Sequence, residues 1–281
     1  LKSKIEIEAA PFLEGAWIWV FEEPSSASEI LANLQEDGLI ERSLPDRLQQ
    51  HETRAVLNDP DISSQWHLVN TGQNGGTVGE DANVTDAWDI ADGSGIQISI
   101  IDDGLAHTHS DISPGYQSSS SYDYCNNDAD PTPTRSQDAH GTASAGVAAG
   151  RGNNNFGIAG VAYAADISGS LLIICGNTDS MEAGALSLDD QNNDIYSNSW
   201  GPPDGHKTWA YSVTGPGPIT VAAFESDFST GRNGYGNVIS WAGGNGGTAN
   251  DNSNYDGYAN ARQTIAVGAI GDDGKQKSFS E

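Results

Sequence analysis

The segment Ile96-Gln97-Ile98-Ser99-Ile100-Ile101 is followed at once by Asp102-Asp103-Gly104. A β-branched apolar run of this length is typical of a strand buried on both faces, and an Asp-Gly pair is typical of a turn. Strands covered on both faces belong to parallel sheets whose crossovers are helices. The segment therefore predicts a central strand with two carboxylates at its carboxyl end.

Further apolar strands and helical segments alternate along the chain around this strand. Ala and Gly dominate residues 141–150, and a second helical segment covers residues 181–188. Strand, helix and strand in repetition predict an α/β fold, a parallel sheet with helices on both faces. In such a sheet the ligand site lies beyond the carboxyl ends of the strands. The predicted strands are residues 96–101, 167–174, 195–199, 238–242 and 264–269.

Charge and composition exclude several classes of protein. The 281 residues include 39 Asp and Glu against 12 Lys and Arg, which gives a formal net charge of −27. A chain this acidic repels phosphate backbones, so we expect no nucleic-acid partner. A hydrophobic fraction of 36% with seven Trp is enough for a packed core, which excludes wholesale disorder. No apolar stretch reaches the 18 or more residues of a membrane span, so we expect no membrane-spanning segment.

The first residues form a pattern of their own, a small βα unit. The run Trp17-Ile18-Trp19-Val20-Phe21 predicts a strand. Ser28 is a candidate N-cap for a helix that ends at Gly38, and Leu39-Ile40 is a candidate for the start of another strand. We therefore divide the chain into an N-terminal unit, residues 1–54, and a larger domain, residues 55–281.

Three polar groups lie where the site of a parallel sheet is expected. Asp102 follows the first central strand, His140 opens a helix of small residues, and Asn245 lies in the loop Gly243-Gly244-Asn245-Gly246-Gly247. Each alone is typical of a turn, a solvated helix start or a flexible loop. A carboxylate, an imidazole and an amide together at one sheet edge favour a catalytic centre.

These motifs, in this order and spacing, resemble the subtilisin superfamily of serine proteases, in particular the kexin/furin-like proprotein convertases. The resemblance runs from about Asp59 to Glu281 and implies a subtilisin-like fold and an endopeptidase that acts on polypeptides. The stretches that carry it are Ser99-Ile100-Ile101-Asp102-Asp103-Gly104, His140-Gly141-Thr142, Tyr196-Ser197-Asn198-Ser199-Trp200-Gly201-Pro202, Trp241-Ala242-Gly243-Gly244-Asn245-Gly246-Gly247 and Asp256-Gly257-Tyr258.

The resemblance implies a role for each polar group. His140 is expected to act as general base towards a Ser nucleophile and then as acid towards the leaving amine. Asp102 would hold the imidazole in the right tautomer, and Asn245 would donate its amide to the oxyanion.

The nucleophile of this family lies in a Gly-Thr-Ser-x-Ala motif downstream of the Asn, and no such motif follows Asn245 before Glu281. Gly141-Thr142-Ala143-Ser144-Ala145 is similar by eye but belongs to the His motif. The explanations are cleavage into two chains, a truncated chain, or a catalytically inactive relative with a binding or regulatory role. We favour a separate C-terminal fragment that carries the Ser, because the sheet alone would leave a large apolar face exposed.

The resemblance also implies Ca²⁺, at two sites and a candidate third, because carboxylates in Gly/Asn-rich loops suit hard cations. Most of the acids nevertheless fit an ordinary solvated surface. The first site comprises Asp59, Asp111 and Asn154 with the carbonyls of Gly152, Phe156 and Ile158; the second comprises Asp204, Asp251 and Glu281; the third comprises Asp123, Asp128 and Asp130.

Substrate choice is implied by further matches, written with P1 as the residue before the cleaved bond. Asp256 matches the carboxylate that favours Arg or Lys at P1, Asp103 matches one that favours a basic P2, and Glu182 matches one that favours a basic P4. Ser199, Trp200 and Gly201 would offer backbone to the substrate strand, and Tyr258 would line the outer pocket.

The chain also departs from the convertases at three positions that bear on specificity. Pro203 and Ala210 stand where the convertases carry acids, and Gln137 stands where a P2-reading Asp is expected, with Asp138 next to it. A shift of one residue would let Asp138 take that role. We predict that a basic P1 preference survives while the requirement for paired basic residues is relaxed.

Two features remain open at this stage. Cys125 and Cys175 either form one disulfide across the acidic loop or stay as two thiols. Residues 1–54 match either a propeptide, with Thr53-Arg54 as a processing site, or a retained extension. Loops rich in Asn, Asp, Gly and Ser together with few Lys favour an extracytoplasmic protein, secreted or periplasmic.

Overall fold

The computed structural model describes residues 5–9, 17–21, 24–43, 57–204 and 215–281. They fall into two units, Leu1–Glu52 and Thr53–Glu281, close to the predicted division. The predicted processing site at Thr53-Arg54 lies outside the described residues, as does Ala210, one of the positions where the sequence differs from the convertases. None of the described helices is both long and apolar enough to cross a bilayer.

The N-terminal unit contains an antiparallel pair of strands and one helix. They are β1 (Ile5–Ala9), β2 (Trp17–Phe21) and α1 (Pro24–Glu36), with Ile5 opposite Phe21 and Ala9 opposite Trp17. The predicted strand at 17–21 is confirmed, whereas β1 was missed.

Two predictions for the N-terminal unit are wrong. The helix begins at Pro24 rather than after Ser28, and Pro suits a first turn because its missing N–H has no helical partner there. Leu39 and Ile40 do not start a strand: Gly38 adopts φ +69°, and the amides of both following residues donate to the carbonyl of Leu34. They therefore terminate the helix.

The larger unit is built on a six-stranded parallel sheet, as predicted. Its strand order is β4-β5-β3-β6-β7-β8. The strands are β3 (Gln97–Asp102), β4 (Tyr122–Asp123), β5 (Asp166–Leu171), β6 (Ile195–Asn198), β7 (Val238–Ala242) and β8 (Thr264–Val267). The helices are α2 (Val84–Ala87), α3 (His140–Ala149), α4 (Asp179–Leu186) and α5 (Pro218–Gly234).

The strand predicted over 167–174 is too long, because the chain leaves the sheet after Leu171. The amide of Leu172 donates to the carbonyl of Asp102 at 2.9 Å, and Leu172 is fully buried in the core. Its apolar character therefore reflects packing beyond the strand. The strand predicted over 264–269 likewise ends early, at Val267.

Side chains of β3 alternate between the two faces of the sheet. Ile98 and Ile100 pack with Ala145 and Ala149 of α3, whereas Ile101 packs in a second cluster with residues of α4 and α5. Strand β8 lies at an edge of the sheet and differs, since its Ile265 and Val267 are 57% and 52% exposed.

Candidate active site

The carboxyl end of β3 and the first residue of α3 place a carboxylate against an imidazole. Nδ1 of His140 lies 2.9 Å from both Oδ1 and Oδ2 of Asp102. Asp102 is 1% exposed, while the His140 side chain is 57% exposed. A carboxylate on Nδ1 fixes the proton on that nitrogen and leaves Nε2 as the acceptor. The pair is therefore arranged for general-base chemistry on an accessible ring.

Burial dominates the electrostatics of Asp102. It raises the pKa of this carboxyl, while hydrogen bonds from His140 and from the Asp103 amide lower it in part. A buried carboxylate interacts strongly with a cation beside it because little water screens the charge. Asp102 is therefore suited to stabilise the imidazolium that forms when His140 takes a proton.

Asp103 fixes the backbone at the start of α3. Its Oδ1 accepts from the amide of Gly141 at 2.7 Å, its Oδ2 accepts from the amide of His140 at 3.1 Å, and the residue is buried. These are two of the amides that a helix start leaves without intrahelical partners. The residue before the helix, Ala139, supplies no side-chain cap. Asp103 thus positions His140, a role that the sequence did not suggest.

Gly141 allows α3 to approach β3 closely enough for the pair to form. A Cβ added there would lie 2.7 Å from Cβ of Asp102 and would also overlap the carbonyl of Gly104. Real Cβ atoms do not approach other atoms this closely, so any larger residue would push His140 away from Asp102.

Asn245 lies in the loop that follows β7, and its side chain is exposed. Its backbone amide donates to Oδ2 of Asp204 at 3.1 Å, and the next amide, of Gly246, donates to Oε1 of Glu281 at 2.7 Å. The loop that carries the predicted oxyanion donor is therefore held by two of the predicted metal ligands.

The segment after β6 is anchored from behind by an aromatic cluster. Nε1 of Trp241 donates to the carbonyl of Trp200 at 2.6 Å, and the two rings lie 4.6 Å apart. Ser199 and Trp200 are half-buried, whereas Gly201 is exposed. A fixed, accessible segment at a sheet edge suits the predicted pairing with a substrate strand.

Asp256 is half-buried next to this segment. Its Oδ1 accepts from the amide of Tyr258 at 2.8 Å, and its Oδ2 lies 3.0 Å from the point that a Cβ on Gly201 would occupy. Burial raises the pKa of Asp256, the amides of Tyr258 and Ala259 lower it, and the charges of Asp204 and Asp251 raise it again. A carboxylate with this surplus of negative charge is a suitable partner for a cation.

Glu182 and Tyr258, both predicted for the outer pocket, contact each other. The Tyr258 hydroxyl donates to Oε2 of Glu182 at 2.8 Å, and the Asn177 side chain donates to Oε1 at 2.5 Å. The Thr220 hydroxyl lies 3.4 Å from Oε2, and Glu182 is 7% exposed. Both carboxylate oxygens thus have partners within the chain.

The three carboxylates of the predicted second metal site converge in the structure. Asp204, Asp251 and Glu281 each offer an oxygen within 4.8 Å of the other two, and within the described residues this is the one such group of three metal-ligating side chains. Burial raises the pKa of Glu281, the Gly246 amide lowers it, and the charges of Asp251 and Asp204 raise it. Three converging carboxylates that repel one another fit a hard divalent cation.

The residues of the predicted first metal site also lie close together, linked by hydrogen bonds. Asp59 and Asp111 are each 2% exposed. Asp111 Oδ1 accepts from the Asn154 side chain at 3.0 Å, and both oxygens of Asp59 accept from amides at 153 and 154. Gly152, Phe156 and Ile158 lie in the same loop, and the amide of Ile158 donates to Asp111 at 3.2 Å.

The predicted third set is arranged differently. Asp123 is buried and accepts from the amides of Cys125 and Asn126, whereas Asp130 is 66% exposed and lies 3.2 Å from Nε2 of His107. Asp128 accepts from the Asp130 amide at 2.9 Å. These contacts serve the turn itself. The loop is linked to the segment after β5 by the Cys125–Cys175 disulfide, which selects one of the two alternatives left open by the sequence.

Comparisons with known proteins agree with this geometry. The model of the subtilase family, Peptidase_S8, matches residues 93–281. Human proprotein convertase subtilisin/kexin type 7 is 42% identical over 240 residues, which are 84% of this chain and 30% of that protein. Neuroendocrine convertase 2 of Sus scrofa is 40% identical over 230 residues, 80% of this chain and 35% of that protein.

Solved structures agree on the fold. The serine protease of Aeromonas sobria, in complex with its chaperone, superposes with a TM-score of 0.68 at 25% identity, over 85% of this chain and 42% of that one. The chain thus spans about a third of the length of the curated relatives named above. It belongs to the subtilase family, and its relatives include proprotein convertases.

Proposed function

We propose that this chain supplies the Asp–His pair, the oxyanion donor and the specificity acids of a calcium-dependent serine endopeptidase that cleaves after Arg or Lys. The observation that carries the proposal is the contact of His140 Nδ1 with both oxygens of buried Asp102 at 2.9 Å. The alternative, a catalytically inactive relative that only binds, is not favoured. Such a protein would need neither the Asp102–His140 contact nor the close packing of α3 on β3 that Gly141 permits.

In the proposed reaction His140 Nε2 takes the proton of a Ser hydroxyl as that oxygen attacks the scissile carbonyl. Asp102 stabilises the resulting imidazolium, and the Asn245 side chain donates to the oxyanion. His140 then returns the proton to the leaving amine, and a water molecule repeats the cycle on the acyl-enzyme. The Ser is expected on a C-terminal part of the protease, separate from these 281 residues.

The proposed P1 pocket centres on Asp256. One oxygen is fixed by the Tyr258 amide, and the other faces the space above Gly201. A guanidinium or ammonium group would pair with this carboxylate by charge-assisted hydrogen bonds, while Leu would leave it desolvated without a partner. We therefore expect strong selection for basic P1 residues.

A kinetic panel tests this proposal in the full-length protease. Peptides that differ only at P1, with Arg, Lys or Leu, are compared for the wild type and Asp256→Asn. We expect kcat/KM for Arg to exceed that for Leu by about 10²-fold or more, and Asp256→Asn to remove most of the difference. Equal cleavage after Leu and Arg by the wild type would contradict the proposal. The exposed residue Asp89 provides a charge-matched control in Asp89→Asn.

Calcium is proposed at the two gathered sites, with Asp204, Asp251 and Glu281 in one and Asp59, Asp111 and Asn154 in the other. At the site of Asp204, Asp251 and Glu281, Ca²⁺ would neutralise the carboxylates that hold the Asn245 loop. The carbonyls of Gly152, Phe156 and Ile158 complete the other proposed site. Asp123, Asp128 and Asp130 carry less support, because their carboxylates do not converge as those of Asp204, Asp251 and Glu281 do, and Asp130 is 66% exposed beside His107.

We also propose an extracytoplasmic location, secreted or periplasmic, which the Cys125–Cys175 disulfide supports because such bonds persist in oxidising compartments. Residues 1–54 are proposed as a propeptide-like unit or a retained extension. N-terminal sequencing of the mature protease distinguishes these two, since removal of a propeptide at Thr53-Arg54 would give a chain that starts at Ala55.

A further inference from the structure

Asp138, an acid two residues before His140, forms an ion pair with Arg135 of the same chain. Nε of Arg135 donates to Oδ2 of Asp138 at 2.8 Å, and Nη2 donates to Oδ1 at 2.9 Å. The Asp138 side chain is 5% exposed, while that of Arg135 is 49% exposed. The Asp138 amide also donates to the Arg135 carbonyl at 3.0 Å. A two-point contact on a buried carboxylate within one turn is a strong, preorganised pair.

This pair lies at the end of α3 that carries the general base. Asp138 precedes His140 by two residues, and Asp103 binds the His140 and Gly141 amides at the same helix start. Asp138 raises the pKa of Arg135, and the charge of Asp103 adds to this effect. The guanidinium is therefore within electrostatic reach of both acids next to the catalytic ring.

Gln137 and Asp138 do not compensate for the departure seen in the sequence. Gln137 is exposed and neutral, and Asp138 is not available to a substrate side chain because Arg135 occupies both of its oxygens. The suggested rescue by a one-residue shift is thus wrong in this structure. Asp103 accepts from backbone amides with both oxygens, which orients its carboxylate towards the start of α3.

We propose that Arg135 is a specificity-determining residue that occupies the acids beside His140 and suppresses selection for a basic residue at P2. This inference rests on the proposed endopeptidase function. A substrate Lys or Arg at P2 must displace from Asp138 an intramolecular guanidinium held at high effective concentration. A neutral P2 residue does not meet this obstacle.

The test compares peptides with P1 fixed as Arg and P2 as Lys or Ala, cleaved by the full-length protease. For the wild type we expect kcat/KM values within about threefold of each other. For Arg135→Gln we expect the P2 Lys peptide to gain about 10-fold over the Ala peptide, mainly through KM, because a substrate cation replaces the lost charge-assisted bonds. Adding Asp138→Asn should abolish the gain.

Two control variants make the comparison specific. Arg135→Lys keeps the positive charge but loses the two-point contact, so its ratio should lie between those of the wild type and Arg135→Gln. Lys275→Gln removes a charge at an exposed residue paired with Asp273 and should leave the ratio unchanged.

The inference would be overturned if the wild type cleaved the P2 Lys peptide with a kcat/KM 10-fold or more above that of the P2 Ala peptide. It would also be overturned if Arg135→Gln kept its selection at P1 but showed the same P2 Lys to P2 Ala ratio as the wild type. Loss of P1 selection in the wild type would instead contradict the proposed function. Calorimetric binding of the cleavage products acetyl-Lys-Arg and acetyl-Ala-Arg, which carry no bond to cleave after P1, supplies the P2 ratio independently of turnover. Equal ratios in wild type and Arg135→Gln would also overturn the inference.

Discussion

Asp102 and His140 are 38 residues apart in the chain, yet Nδ1 of the imidazole lies 2.9 Å from each oxygen of the carboxylate. The contact joins the end of a central strand to the start of a helix on one face of the sheet. It depends on two further residues, because Asp103 binds the first amides of the helix and Gly141 leaves room for its approach.

Replacement of Asp102 by Asn should keep the shape of the site and lose its chemistry. An amide favours the wrong imidazole tautomer and does not stabilise the imidazolium, so we expect kcat to fall by about 10⁴-fold. KM should change little because Asp102 is buried away from substrate. Steady-state kinetics check this, and a loss below 10-fold would show that the pair is not catalytic.

The two glycines of α3 should differ in their response to Ala. At Gly141 a Cβ would lie 2.7 Å from Cβ of Asp102, whereas at Gly146 it would lie 3.3 Å from the flexible Cδ1 of Ile158. We expect Gly141→Ala to destabilise the fold by about 1–3 kcal/mol and to reduce kcat. Gly146→Ala should be near neutral, because better helix propensity offsets mild crowding. Urea unfolding measures both, and similar losses would contradict this account of Gly141.

Asp227 should make stability fall as pH rises. It is fully buried on α5, and neither carboxylate oxygen has a hydrogen-bond partner among the described residues. Burial, with a contribution from the charge of Asp190, raises its pKa to about 7 from the ordinary value of 3.8. The folded state therefore holds a proton that the unfolded chain has released, and the free energy of unfolding falls between about pH 4 and pH 7.

Asp227→Asn removes this dependence. The variant should gain stability over the wild type above pH 7, on the order of 1.4 kcal/mol per unit of pKa shift, and the gain should shrink towards pH 4. Tm measured across this range checks it, with Glu225→Gln as an exposed control on the same helix. Parallel Tm profiles for wild type and Asp227→Asn would contradict the assignment.

Chelation should destabilise the protein through the carboxylate sites. With EGTA the repulsion among Asp204, Asp251 and Glu281 is no longer neutralised, so we expect Tm to fall by several degrees, as for loss of any tightly bound ligand. Added Ca²⁺ should restore Tm, and added Mg²⁺ should restore it less because Mg²⁺ retains its waters. Asp251→Asn should reduce the response, while Asp89→Asn should not. An unchanged Tm would exclude bound calcium.

The strands of the sheet were predictable where the apolar pattern is continuous. Val238–Ala242 has the bounds that the sequence predicts, and β3 differs by one residue at each end. The weaker elements were missed for physical reasons. Helix α5 buries Thr220, Ala223, Phe224 and Asp227 at helical spacing, but only two of these side chains are apolar.

The site was predictable as a set of residues but not as an arrangement. Motif order predicted that Asp102, His140 and Asn245 lie at one sheet edge, where parallel strands end, and the structure shows the contact between the first two. The backbone role of Asp103, the internal partners of Glu182 and the Arg135–Asp138 pair depend on how loops approach each other. Sequence spacing does not encode those approaches, so acids assigned to substrate proved to have partners within the chain.

The most direct test of the central claim, that Asp102 and His140 activate a serine, is labelling of the full-length protease by a fluorophosphonate probe. The probe reacts with a hydroxyl made nucleophilic by an adjacent base. We predict one labelled serine in the wild type, labelling that falls at least about 10²-fold in His140→Ala, and no change in Lys275→Gln. An unlabelled wild type, or labelling that persists without His140, would contradict the claim.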